Sequence, residues 1–203
     1  MNPTGSRPRF PTERAAKRSG RLPGMTDRQP TPMRLDHLAD VLDLGRRVFD
    51  VSAMPYTSWS LSSVALHLDA QPGACWVVEH DGRVVAFVLG SLSYDEREDW
   101  GYVEWIAVHP DHQGQGLAKV LLERSCGDLF AAGATRIVTD VEQSNSASAG
   151  LMRRNGFTDS VTVTLFIRHA PDPHTGRAVR TATATSDPAK TRLHRAGRTR
   201  VQP

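Results

Sequence analysis

Between Val108 and Lys119 the chain reads His109-Pro110-Asp111-His112-Gln113-Gly114-Gln115-Gly116-Leu117-Ala118-Lys119. An apolar strand runs into Pro110, two glycines follow, and an amphipathic helix begins. A glycine-rich loop that opens a helix aims several backbone N–H groups at one spot, and the helix dipole adds about half a positive charge there. That chemistry suits a phosphate. Gly114 and Gly116 let the backbone approach an anion closely, and Lys119, one turn into the helix, adds a charge. Neither the Gly-Lys-Ser/Thr of a P-loop nor the third glycine of a dinucleotide fingerprint follows, so another phosphate-bearing ligand is expected. By themselves two glycines also suit an ordinary strand-to-helix turn.

A second segment runs from Asn145 to Phe157. Asn145 is placed to cap a short helix whose small face carries Ala147, Ala149 and Gly150. Gly156 suits the left-handed position that ends a helix. A well-capped helix explains this segment alone. Its small face also admits something flat.

The elements that position these segments follow from periodicity. Leu38, Val41, Leu42, Gly45, Val48 and Phe49 recur at helical spacing over about 36–50. Residues 60–70 suggest a second helix with Leu61, Val64, Ala65 and Leu68 on one face. Strands are expected at 75–79 and 83–92, joined by the Asp81-Gly82 hairpin turn, and again at 101–108. A helix over 116–131, a strand over 135–141, a helix over 146–154 and a closing strand over 160–168 complete the order. The strand–helix–strand step across the glycine loop implies a right-handed parallel crossover. The fold class is therefore α/β (α+β): one domain over 33–170 with a mixed, mostly antiparallel sheet flanked by helices.

The net charge of +3 over 203 residues is unevenly spread. Residues 1–24 carry +5 and residues 171–203 carry +5, so the acidic middle carries −7. Residues 1–32 and 171–203 are rich in Pro, Arg, Ser and Thr and poor in large apolar residues, which predicts disordered basic tails. Such tails are the one feature that would touch nucleic acid, although they lack interleaved aromatics. No apolar run is long enough to span a membrane, and no signal-peptide centre is present, so a cytoplasmic protein is expected. Cys75 and Cys126 lack metal or redox spacing and read as reduced thiols. His109 and His112 flank Pro110-Asp111, where a loop histidine is ordinarily neither ligand nor base; no metal is expected. The cluster Asp95, Glu96, Glu98 and Asp99 reads as a solvated turn that would also attract a cationic amine. Trp59, Trp76, Trp100 and Trp105 read as core or rim packing, with Trp59 or Tyr56 near a candidate acceptor pocket.

Taken together, the two segments become recognisable. Gln113-x-x-Gly116-x-Ala118 resembles the acyl-coenzyme A signature Gln/Arg-x-x-Gly-x-Gly/Ala of the GNAT acetyltransferase superfamily. Asn145 followed by Gly156-Phe157 is similar to that superfamily's later Asn…Gly-Phe segment, at matching distance. The resemblance covers about 34–168. It implies that the strands ending near Val108 and Val141 splay apart. A pantetheine arm would lie in the gap against Ile106, Ala107 and Val108. The amides of Gln113, Gly114, Gln115, Gly116, Leu117, Ala118 and Lys119 would hold the pyrophosphate, with Asn145 touching the pantetheine arm or helping to order the gap. Acetyl-coenzyme A is the implied co-substrate.

Acetyl transfer needs a neutral amine. A lysine-type amine costs about 4–5 kcal/mol to deprotonate at neutral pH, an α-amine about 1. A general base lowers that burden. Strict alternation puts Tyr102, Glu104, Ile106 and Val108 on one strand face, where a carboxylate is costly unless paired or functional. The resemblance implies Glu104 as base, directly or through water; a strand-edge salt bridge is the structural alternative. Many superfamily members carry a tyrosine seven residues after the asparagine as the acid for the leaving thiolate. Met152 stands there, and methionine donates no proton. Tyr102 is the candidate substitute, against a plain core tyrosine. The expected activity is acetyl transfer to a primary amine of a small molecule or peptide, by direct attack in a ternary complex, from a monomer or homodimer. A non-catalytic acyl-coenzyme A sensor is the rival.

Overall fold

A computed structural model describes residues 29–54, 57–70, 72–166, 168, 170, 171 and 174. Strand β1 (Thr31–Pro32) precedes helices α1 (Leu38–Val48) and α2 (Leu61–Ala70). Strands β2 (Trp76–His80), β3 (Arg83–Tyr94) and β4 (Arg97–Val108) follow as an antiparallel meander. Helix α3 (Leu117–Ala131) returns the chain to β5 (Arg136–Val138), parallel to β4, and α4 (Ser146–Arg154) comes last. The sheet order is β1-β2-β3-β4-β5. Asp81 and Gly82 both take positive φ, 52° and 70°, as the tight two-residue hairpin requires.

Two cores sandwich the sheet. Val41, Leu44, Val48, Phe49, Trp59 and Val64 pack with Val77, Phe87, Leu89, Trp105 and Ala107 on the α1/α2 side. Leu117, Leu121, Leu122, Leu129 and Met152 pack with Val78, Ala86, Val88, Val103 and Ile106 on the α3/α4 side. Each fully buried large apolar side chain contributes about 1.5–3 kcal/mol. The first core closes over Gly45. Trp59 donates its indole N–H to the carbonyl of Leu42 at 2.9 Å. A Cβ on Gly45 would fall 2.1 Å from Trp59 Cε2. Gly45→Ala is therefore expected to destabilise by about 1–3 kcal/mol through overpacking. That outweighs the gain of roughly 1 kcal/mol in helix propensity, so thermal unfolding should show a lower Tm.

Three expectations need correction. Thr31–Pro32, assigned to the N-terminal tail, pairs with β2 and belongs to the sheet; Met33 N–H also donates to Cys75 O at 2.9 Å. Residues 1–28 and nearly all of 171–203 lie outside the described residues. The segment 160–166 is not a strand: Val161 is 90% and Phe166 93% exposed. Its Val/Thr alternation has strand propensity, but propensity becomes a strand only where a sheet edge and a core receive it. Finally, Glu104 does not share a face with Ile106 and Val108. Leu89 pairs with Trp105 and Gly90 with Val103, so Glu104 is an extra residue in β4. This bulge turns Trp105 and Ala107 toward the α1/α2 core, and Ile106 and Val108 toward the α3/α4 core.

Candidate active site

The loop between β4 and α3 is built as its glycines require. His109 N–H donates to Val85 O at 2.8 Å, which anchors the loop to β3. Residues Pro110–His112 make one 3-10 turn, capped by His109 Nδ1 accepting from Asp111 N–H. Gly114 and Gly116 take φ of 73° and 79°. Gly116 is the N-cap of α3 and supplies no side-chain cap. The first intrahelical bond is Val120 N–H to Gly116 O at 3.2 Å. Leu117, Ala118 and Lys119 thus present N–H groups without a partner in the helix, at the positive end of its dipole. A Cβ at Gly114 or Gly116 would meet nothing within 4 Å, so space lies open on that side. Gln113, Gly114, Gln115, Gly116 and Lys119 are exposed, Ala118 is half-buried, and Leu117 is buried in the α3/α4 core. Leu117 therefore offers only its backbone to this loop. Lys119 Nζ lies 3.6 Å from Glu123, an exposed pair worth well under about 1 kcal/mol and easily exchanged for an anion.

The expected splay is present. β4 pairs with β5 only from Trp100 to Tyr102. β4 continues six residues further, to Val108, while β5 ends at Val138. Among the described residues no strand covers that side of 103–108. Ile106 and Ala107 are buried there, and Val108 is half-buried. Asn145, half-buried beyond the gap, accepts from Ser148 N–H at 3.1 Å and so caps α4. Gly156, at φ 88°, ends the same segment. Met152 is buried in the α3/α4 core, where it supplies packing only.

Glu104 sits at the edge of the same gap and is 5% exposed. Its partner comes from α2: His67 Nε2 is hydrogen-bonded to Glu104 Oε2. His67, also 5% exposed, was not expected as a site residue. The helical face drawn through Leu61 is rotated: Leu61 is exposed, and the buried stripe runs through Val64 and His67. A histidine three residues from Val64 on that helix was the available signal. Tyr102 is buried as well, and its hydroxyl donates to Asp140 Oδ1 at 2.6 Å.

The other candidates fall outside this constellation. Asp95, Glu96, Glu98 and Asp99 form an exposed hairpin end. A hydrogen bond from the Thr135 hydroxyl holds the Asp99 carboxyl below the usual carboxylate range. Trp59 and Trp105 are core; Trp76 and Trp100 are half-buried, and Tyr56 lies outside the described residues. Burial pushes the Cys75 thiol up to about 12 and the Cys126 thiol up to about 11, so neither is a ready thiolate nucleophile. Among the described residues no group of three His, Cys, Asp or Glu is arranged to hold a metal ion.

A glycine turn opening a helix, a splayed strand pair and a buried carboxylate thus lie along one strand. Residues 45–157, more than half of the chain, match the Acetyltransferase (GNAT) family. The chain belongs to the GNAT acetyltransferase family. The L-2,4-diaminobutyric acid acetyltransferase of Nocardia farcinica (strain IFM 10152) is 31% identical to this GNAT chain over 134 residues, covering 61% of this chain and 65% of that protein. The match therefore spans just under two thirds of that relative's length. In fold, this GNAT domain is similar to aminoglycoside N-acetyltransferase AAC(6')-Iy in complex with CoA. Their TM-score is 0.55 at 18% identity, over 70% of this chain and 99% of that one. It is also similar to the apo aminoglycoside 6'-N-acetyltransferase AAC(6')-IG from Acinetobacter haemolyticus. There the TM-score is 0.53 at 19% identity, over 69% and 97% of the two chains. At these identities the likeness speaks to the fold.

Proposed function

We propose that this GNAT domain acetylates a primary amine of a small cationic molecule or peptide, using Glu104 as general base in a ternary complex. The observation that carries the reading is the β4 bulge. It presents a buried carboxylate at the edge of the gap, four residue steps from Val108 and the cradle, about 13 Å at ~3.3 Å per step. Acetyl-coenzyme A supplies the activated thioester. The N–H groups between Gln113 and Lys119 hold its pyrophosphate, and the backbone of Ile106 and Val108 lines the pantetheine arm. Asn145 keeps the far side of the gap ordered by capping α4. Glu104 accepts one proton from the ammonium. The amine nitrogen then bonds to the acetyl carbon, the C–S bond breaks with its electron pair on sulfur, and the second N–H proton neutralises the thiolate.

The acidic charge of residues 25–170 favours a cationic acceptor. So do the names of the relatives, which act on a diamino acid and on aminoglycosides. We place the protein in the cytoplasm; among the described residues no helix is long and apolar enough to cross a membrane. A screen for free-thiol release tests the function with diamino acids, aminoglycosides, polyamines and peptide N-termini. Release with a diamine or aminoglycoside is expected. Tight acetyl-coenzyme A binding without release by any amine would favour the sensor reading instead.

Tyr102 is a weaker candidate for the acid than its position in β4 suggests. Its proton is already engaged by Asp140, and giving it up would set a phenolate against a carboxylate. We assign it to bracing the base of the gap. Tyr102→Phe is expected to keep kcat within about threefold, under ~1 kcal/mol. A loss approaching a hundredfold, with a changed alkaline limb of the pH–rate profile, would restore Tyr102 as the acid.

A further inference from the structure

We propose that the chain's own N-terminal segment, residues 14–25, docks on the outer face of α2, in an apolar groove that carries a carboxylate. This contact is independent of the role given to Glu104.

Helix α2 turns Val64 and His67 toward the sheet. Its opposite side also has an apolar centre. Ser62, Ala65, Leu66 and Asp69 recur at i, i+3, i+4 and i+7, which puts them on one helical face. With Leu35 they line a groove of about 970 Å³. Leu35 is 75% and Leu66 48% exposed. A lone exposed leucine is ordinary, whereas two lining one concave, polar-rimmed surface mark a place of contact.

Charge narrows the occupant. On the Leu35 side, Arg34 donates to both oxygens of Asp36, at 3.2 and 3.0 Å, so that rim is neutral. Asp69 is exposed in the last turn of α2 and has no ion-pair partner among the described residues. The negative end of the helix dipole adds to its charge. The groove therefore fits apolar side chains flanked by cations.

Residues 14–25 have that composition: Arg14, Lys17, Arg18 and Arg21, no acid, then Leu22 and Met25. The chain enters the described structure at Gln29 and forms the groove wall at Arg34 and Leu35. Ten residues from Met25 to Leu35 reach at most about 35 Å. Leu22 and Met25 stand about 10 Å apart when extended, and Ser62 to Asp69 spans about 10 Å of helix. So short a tether gives an effective concentration in the millimolar range. A contact ten times stronger than millimolar keeps the segment docked about nine-tenths of the time. A second copy at micromolar concentration would have to bind far more tightly, and a symmetric pairing would bring two Asp69 carboxylates together.

The test uses the full-length protein. Trypsin cleavage after Arg18 and hydrogen exchange of residues 61–70 are followed under native conditions in the wild type, Leu66→Asp, Leu35→Asp, Leu22→Asp and the Leu22/Leu66 double variant. Cleavage tracks the undocked fraction, so each single variant should be cut about 10-fold faster than wild type. The double variant should be no faster, because both changes break one contact. Asp69→Arg should raise cleavage about 2- to 5-fold, a difference that closes in high salt. Leu35 and Leu66 are exposed, and a cooperative melt shows that their variants fold. Equal cleavage of wild type and both folded groove variants would overturn the proposal. So would protection of 61–70 that Leu66→Asp removes and Leu22→Asp leaves intact, since another occupant then covers the groove. Protection that grows with protein concentration and sediments as a dimer assigns the groove to a second copy and overturns it too.

Discussion

Replacing Gly116 with tryptophan is expected to abolish coenzyme A binding while the protein still melts cooperatively. Gly116 stands at φ 79° with open space where its Cβ would be. Two effects follow from the substitution. A side chain in the left-handed region costs about 1–2 kcal/mol of backbone strain, which loosens the loop. The indole occupies the space into which the N–H groups at the start of α3 point. The first effect alone is read from Gly116→Ala, expected to weaken binding only a few-fold. Both together should cost about 100-fold or more in Kd, at least ~2.7 kcal/mol. Calorimetric titration of coenzyme A measures the loss, and the thermal melt shows that the fold survives. Unaltered affinity in a folded Gly116→Trp protein would remove the cradle from the binding site.

Glu104→Gln is expected to lower kcat by about 10²- to 10⁴-fold, the usual contribution of a positioned general base, with acetyl-coenzyme A affinity unchanged. Glutamine is a fair probe because its carbonyl still accepts from His67 Nε2, so the buried pair is not left unsatisfied. What it loses is the ability to take a proton. An α-amine, cheaper to deprotonate than a side-chain amine, should suffer less, and raising the pH should recover part of the rate. A kcat equal to wild type across the neutral range would exclude Glu104 as the base.

The turn between β4 and α3 was legible in the sequence because everything it needs is local. Two glycines, a strand before them and a helix after them are visible within a dozen residues, and positive φ at Gly114 and Gly116 realises that pattern. The Asp81-Gly82 hairpin and the capping by Asn145 were legible for the same reason. Glu104 was found by residue type, but its face was misassigned. A bulge is a relation between two strands, set by how Leu89 and Gly90 pair across to β4, and a single strand's alternation does not contain it. His67 was missed because α2 was read as an apolar stripe, and a charged partner on a distant strand reverses the usual cost of burying a histidine. The segment 160–166 failed in the opposite sense: strong local alternation predicted a strand, and among the described residues no strand pairs with it.

The most direct test of the account is mass spectrometry of an amine acceptor after incubation with isotopically labelled acetyl-coenzyme A and the purified protein. The account predicts one labelled acetyl group on the amine nitrogen for each thiol released, abolished by Gly116→Trp and strongly slowed by Glu104→Gln. Acetyl-coenzyme A bound at the cradle with no label on any diamine, aminoglycoside or peptide would contradict it.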